Sequence, residues 1–313
     1  MRKLAYLAAA AFLAFSGQAQ AQQFVNVLTG GTSGVYYPMG NAMSNLFGKA
    51  MPDAKVTVQA TKASVENLNL LENGRGELAF TLGDSLSSAW NGVEEAGFKA
   101  PLKKLRGVAG IYPNYIQIVS SQESGIKTLA DLKGKRISVG APKSGTELNA
   151  RAVFKAAGLS YDDMKVQYLP FGESVELMKN RQLDATLQSA GLGVASIRDL
   201  ASTIAIHIVE IPPAVVAKTG DPAYIATSIP KDTYLGQSKP VPTVAINNFL
   251  VTHQGVSDDT VYKMTKAVFE NLPDLQAAHA AAKDIKLENA AKSMPVPLHP
   301  GAEKYYREKG LIK

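Results

Sequence analysis

The sequence predicts an α/β protein of two lobes facing a shared cleft. Short β-branched runs alternate with segments of helical periodicity along most of the chain. One pattern, a strand, then a Gly/Ser/Thr turn, then a helix, occurs twice at long range, over residues 24–47 and 136–157. The length beyond the N-terminal leader suits two domains of roughly 150 residues each. Two halves that each present a helix N-terminus from the carboxyl end of a strand would face one another across a crevice.

The leader is read from Arg2-Lys3, the apolar run Leu4 to Phe15 and the small-residue site Ala19-Gln20-Ala21. That run is shorter than the ~20 residues a bilayer span needs, so cleavage before Gln22 and export to the periplasm are expected. Strands are expected over 24–28, 55–60, 78–82, 115–120, 136–139, 166–169, 185–188, 204–211 and 244–252. Met39, Ala42, Met43, Leu46 and Phe47 recur at helical spacing, so the first glycine turn opens a helix with one buried face. Ser64 reads as the N-cap of a second helix, and residues 146–157 as a third, closed by Gly158. Val261, Met264, Val268 and Leu272 mark a long helix that Pro273 helps to end. The last segment, with His299 and Tyr305-Tyr306, is expected to brace the first lobe.

Composition narrows the chemistry. With no cysteine there are no disulfides, thiolate metal sites or cysteine nucleophiles. The four histidines stand apart at His207, His253, His279 and His299, without metal-ligand spacing, and read as surface or capping residues. The formal charge of +6, two units of which belong to Arg2 and Lys3, is dispersed among acidic residues. No dense basic stripe with stacking aromatics suggests nucleic acid.

The two turns decide between nucleotide and simpler anion chemistry. After Gly34 in "TGGTSGVYYPMG" come Val35-Tyr36-Tyr37 where a phosphate-binding loop needs Lys and then Ser or Thr. "GAPKSGTE" has the G-x-x-x-x-G frame, but Thr146 stands in place of that lysine. No G-x-G-x-x-G follows the first strand. What remains is a pair of helix starts with free N–H groups and neighbouring hydroxyls, an arrangement suited to a carboxylate. Catalysis finds less support: "GDSLS" at 83–87 lacks the second glycine of a nucleophile elbow. Asp84 reads as a ligand contact or cap, and Glu147 as a first-turn carboxylate favoured by the helix dipole.

The stretches "TGGTSGVYYPMG", "ASVENLNLLENGRGELAF", "LADLKGKRISVGAPKSGTELNARAVFKAAGL", "GESVELMKNRQLDATLQSAG" and "VPLHPGAEKYYREKG" follow one another through nearly the whole chain beyond the leader. In that order they resemble the TAXI family, the extracytoplasmic solute-binding proteins of TRAP transporters. The resemblance implies a type II periplasmic-binding fold, no cofactor and no enzymatic activity. It also implies a monomer that takes a small organic anion of the glutamate, glutamine or 2-oxoglutarate type and delivers it to TRAP membrane subunits; a ligand-binding sensor docking on a membrane receptor, and then an exported enzyme using the same cleft, are the alternatives. The implied lobes are 22–114 with 247–313, and 115–246, the chain crossing near 113–115 and 242–247. Carried onto this chain, the first lobe supplies Thr32, Ser33, Tyr36, Ser64, Asn67, Asp84 and Ser85. The second supplies Ser144, Gly145, Thr146, Glu147, Phe171, Gln188 and Ser189. Ser33, Leu82-Gly83-Asp84 and Thr186-Leu187-Gln188-Ser189 depart from the family's usual residues, and these departures predict a more polar ligand.

Overall fold

The computed structural model describes residues 22–313, so the expected leader lies outside the described residues. Strand β1 (Phe24–Leu28) buries Val25 and Val27 and runs parallel to β2 (Lys55–Gln59), Phe24 opposite Lys55. On its other side lies β3 (Leu78–Leu82), every residue of which is buried, as an unbroken apolar run predicts for an inner parallel strand. Helix α1 (Tyr36–Ala50) covers this sheet with Met39, Met43, Leu46 and Phe47, the residues whose spacing predicted it. Gly40 lets it approach closely, since a Cβ there would lie 2.5 Å from Thr29 Cγ2. Helices α2 (Ser64–Glu72) and α3 (Gly83–Asn91) complete the first lobe's βα units.

The second lobe repeats the plan. Strand β5 (Arg136–Ser138) lies between β6 (Lys165–Gln167) and β7 (Ala185–Ala190), all parallel. Helices α4 (Gly145–Ala156), α5 (Phe171–Lys179) and α6 (Ala195–Thr203) pack around them. Strand β8 (Ile206–Val209), the short helix α7 (Pro213–Lys218) and the edge strand β9 (Ile225–Ile229) follow.

Two long strands belong to both lobes: β4 (Leu105–Ser121) and β10 (Val241–His253). They pair antiparallel from Leu105–His253 to Tyr115–Ala245, and β10 also pairs with β3, Asn248 opposite Leu82. From Tyr115 onward β4 pairs with β7 and β8, while β10 pairs with β9 over Val241 to Ala245. The result is one sheet in the order β2-β1-β3-β10-β4-β7-β5-β6, with β8 on β4 and β9 on β10. A register shift between Asn247 and Phe249 bends the pairing at the crossing.

Three expectations are corrected, and one strand, β9, was not expected. The strand expected at 115–120 is only the second half of β4, whose first half is interrupted in sequence by Gly107, Gly110 and Pro113. Those glycines let the C-terminal segment approach, Gly107 N–H donating to Pro297 O (2.8 Å) and Gly110 N–H to Ala290 O (2.6 Å). Strand β9 carries mostly exposed residues and so lacked an apolar signal. Ser64 is the first helical residue and not the cap; Ala63 precedes it, and the Ser64 hydroxyl accepts the Leu82 N–H (3.2 Å). The long helix near the C-terminus is two, α8 (Asp258–Glu270) and α9 (Leu272–Ala278), and Pro273 opens the second, where its missing N–H costs nothing.

Helix α10 (Pro300–Glu308) is capped by His299, which accepts the Gly301 N–H. The Tyr306 hydroxyl donates to Val108 O (2.6 Å), fastening α10 to β4. At the strand crossing, Asn248 donates to Asn114 Oδ1 (2.7 Å) and Tyr112 O (2.8 Å) and accepts from the Tyr36 hydroxyl. Replacing Asn248 by Ala leaves these buried groups unpaired, so Asn248→Ala is expected to cost roughly 2–4 kcal/mol, read as a lower urea midpoint.

Candidate functional site

The N-termini of four helices meet between the lobes. In the first lobe, the chain leaving β1 is held by the Thr29 hydroxyl on Gln59 O (2.8 Å), turns through Gly30 to Gly34, and enters α1. Ala63, at φ 69 and ψ −144, redirects the chain into α2. That conformation is strained for any residue with a Cβ. In the second lobe, Gly140 (φ 93) and Lys143 (φ 60) turn the chain after β5, and Ser144 caps α4 by accepting the Glu147 N–H (3.1 Å). Pro170 sets the start of α5 at Phe171.

Between these starts lies a cavity of about 120 Å³. Its walls include Gly30, Gly31, Gly34, Tyr36, Thr61, Lys62, Ala63, Ser64, Leu82 and Asn114 on one side. Ala141, Ser144, Gly145, Thr146, Pro170, Phe171, Ser189 and Ala190 form the other. Most of this lining is apolar, with hydroxyls placed at the helix starts. Among the described residues, the one charged side chain on the wall is Lys62, which is exposed.

The lobes touch around the cavity. Glu66 N–H donates to Lys143 O (3.2 Å), and Arg151 donates to Glu95 O (3.2 Å). Gly145 makes the tightest approach: a Cβ there would lie 2.6 Å from Ser64 Oγ and 2.7 Å from Leu82 Cδ1.

Of the residues expected at the site, Tyr36, Ser64, Ser144, Gly145, Thr146, Phe171 and Ser189 line the cavity. Seven others stand elsewhere. Thr32 is exposed on the turn, and Ser33 faces Gly172 at the start of α5. Asn67 is buried, donating to Thr29 O (2.7 Å) and Phe80 O (2.8 Å), and thus ties β1 to β3. Glu147 pairs with Arg151 (2.6 Å), and Gln188 accepts from Ser196 (2.6 Å) inside the second lobe. Asp84 and Ser85 sit behind the cavity wall, the Ser85 N–H donating to Asp84 Oδ1 (2.7 Å). With Ser33 and Gln188 turned away, neither adds a polar group to the lining.

Asp84 accepts on Oδ2 from Asn149 Nδ2 (2.6 Å) and from the Tyr224 hydroxyl (3.0 Å). Asn149 in turn accepts from the Ser189 hydroxyl (2.7 Å), whose carbonyl accepts from Asn114 (3.0 Å). A continuous buried chain therefore runs from Tyr36 through Asn248, Asn114, Ser189 and Asn149 to Asp84. Burial pushes the Asp84 carboxyl up to about 6, offset in part by the bonds from Ser85, Tyr224 and Asn149. Burial likewise raises the Tyr36 and Tyr224 hydroxyls, which stay neutral donors.

Sequence reasoning missed Asn114, Asn149, Asn248 and Tyr224. Asn149 lies four residues after Gly145, hence on the same face of α4. Asn248 alternates with Ile246 and Leu250, a polar residue on a buried strand face. Tyr224 had no comparable signal.

Residues 27–310 match the NMT1-like family. The chain belongs to that family. Solved structures share its fold at low identity. The structure of PhnD1 from Prochlorococcus marinus (MIT 9301) in complex with methylphosphonate has a TM-score of 0.59 at 11% identity, covering 93% of this chain and 100% of that one. The periplasmic binding protein BugD gives 0.59 at 11%, covering 93% and 94%. The alkanesulfonate-binding protein SsuA from Xanthomonas axonopodis pv. citri, bound to MOPS, gives 0.52 at 15%, covering 93% and 94%. This NMT1-like chain thus has the two-lobed α/β fold of periplasmic binding proteins.

Because Gly145 is where the lobes press together, Gly145→Ala is expected to hold them apart while each lobe stays folded. Small-angle scattering checks this as an increased radius of gyration with little change in the denaturant midpoint.

Proposed function

We propose that this protein is an extracytoplasmic solute-binding protein that closes on a small organic acid and hands it to a membrane permease of the TRAP type. The observation that carries the reading is the cavity between the lobes on which four helix starts converge. One helix end contributes only ~0.3–1 kcal/mol to an anion, whereas micromolar binding needs about 8 kcal/mol. Several ends, with hydroxyl and N–H bonds to a charged group worth ~1.5–3 kcal/mol each, reach that range together. Methylphosphonate and MOPS, named with two of the neighbours, each carry an acidic anionic group, which fits an anion trap. The division into lobes at 22–114 with 247–313, and 115–246, belongs to the same reading, as do the TAXI assignment, the export signal and a monomeric state.

The lining narrows the ligand. Among the described residues no arginine reaches the wall, which favours a singly charged carboxylate over a doubly charged phosphonate. No carboxylate lines it either, and an α-ammonium group would be buried without a counter-charge. An apolar cavity of roughly 150 Å³ holds benzene, so the space in this structure suits a short, amine-free acid such as a keto acid. The hydroxyls of Ser64, Ser144 and Ser189 already bond to Leu82, Glu147 and Asn149, none through a base that would activate a nucleophile. Binding without turnover is the chemistry this arrangement supports.

A thermal-shift screen is expected to raise Tm with pyruvate or 2-oxobutyrate and not with alanine or glutamate, since only a ligand of the folded state stabilises it. A shift with the amino acids alone would reverse the amine-free assignment, and no shift with any acid would remove the carboxylate reading. Thr146→Val removes a hydroxyl from the wall and is expected to weaken calorimetric affinity about 10–100-fold.

A further inference from the structure

We propose that Asp84, Asn149 and Tyr224 form a clasp between the lobes whose closing takes up a proton. This rests on the two-lobed clamp and not on which acid the cavity takes. Asp84 starts α3 in the first lobe; Asn149 on α4 and Tyr224 before β9 belong to the second. All three are buried where the lobes meet, and the bonds of 2.6 and 3.0 Å to one carboxylate oxygen are made only when the lobes are together. Separating the lobes returns Asp84 to the wall of a water-filled cleft.

The groups facing the carboxylate leave it without a cation. On its own helix it has the Ser85 N–H, and from the second lobe the neutral Asn149 and Tyr224, with Asp221 adding a repulsive charge. On α4, Glu147 and Arg151 are paired with one another. On α2, Glu66 accepts from the Lys62 N–H, and Glu72 from the Lys104 N–H. The 94–96 turn adds Glu94 and Glu95, the Glu94 carbonyl accepting the Gly97 N–H (2.8 Å) and the Glu95 carbonyl accepting from Arg151 (3.2 Å). Lys103 sits at the far end of α3, on Trp90 O (2.6 Å). From α1 comes Tyr36, a neutral hydroxyl. Among the described residues no lysine, arginine or histidine forms an ion pair with Asp84.

Closing therefore moves a carboxylate from water into a neutral hydrogen-bonded pocket. In the closed state it sits at about 6, against an ordinary carboxylate value near 4. The closed state binds the proton more tightly, so acid favours closure. The advantage is complete below about pH 4 and fades as pH rises through 6. From pH 8 to pH 5 the closed-to-open ratio is expected to rise about tenfold.

The chain has no cysteine, so Asp53→Cys and Lys165→Cys, at exposed positions on the two lobes, admit a fluorophore pair. Energy transfer in the protein without added acid is expected to report a shorter distance at pH 5 than at pH 8. Asp84→Asn should abolish that dependence. Tyr224→Phe, which removes one donor to the carboxylate, should move its midpoint to higher pH and serves if Asp84→Asn fails to fold. A distance equal at both pH values, or a dependence that persists unshifted in these variants, overturns the clasp. Because no ligand is present, that outcome is distinct from a failed acid screen.

Discussion

Asn248 and Asn114 meet at the point where β4 and β10 pass from one lobe to the other, the Asn248 amide donating to Asn114 Oδ1 where both side chains are buried. An unpaired amide there would cost more than the bond itself provides, so the pair constrains how the two strands cross. The constraint extends outward. Asn248 holds the Tyr36 hydroxyl at the start of α1, and Asn114 holds the Ser189 carbonyl at the end of β7. The two walls of the cavity are thus registered to the same crossing, and a change in the crossing angle is a change in the cavity.

The cavity inherits its character from how it is made. Short hydroxyl side chains and helix starts line it, while Leu82, Ala63, Pro170 and Phe171 make much of the rest apolar. Among the described residues, the one charged side chain on such a wall is the exposed Lys62. Close approach of the lobes requires the missing side chain at Gly145, and the strained Ala63 places α2 to meet it. These features are local departures from easy backbone geometry, and they lie at the seam.

Asp84 shows why a residue named by family resemblance and by motif can have a role that neither states. Resemblance placed it among ligand contacts, since it follows a buried strand at the cleft. In the folded chain its carboxylate is turned away from the cavity, toward Asn149 and Tyr224. It thereby joins the lobes and leaves the lining without an acid, which bears on both the ligand's charge and the response to pH.

The sequence by itself determined the α/β class, the two strand–turn–helix units and the buried face of α1, because period and turn chemistry are local properties. It also excluded nucleotide loops and cysteine chemistry. Seven of the fourteen expected site residues line the cavity, chiefly those at helix starts, where a strand-to-helix turn brings the chain to the seam. The tertiary structure decided the rest. Asn67, Glu147 and Gln188 were bound elsewhere because a buried polar side chain takes the partner that folding brings to it. The first half of β4 and the break at Asn271 were likewise settled by what packs against them. The same holds for Asp84: its neighbours Asn149 and Tyr224 lie 65 and 140 residues away, and no local pattern encodes a meeting over that distance.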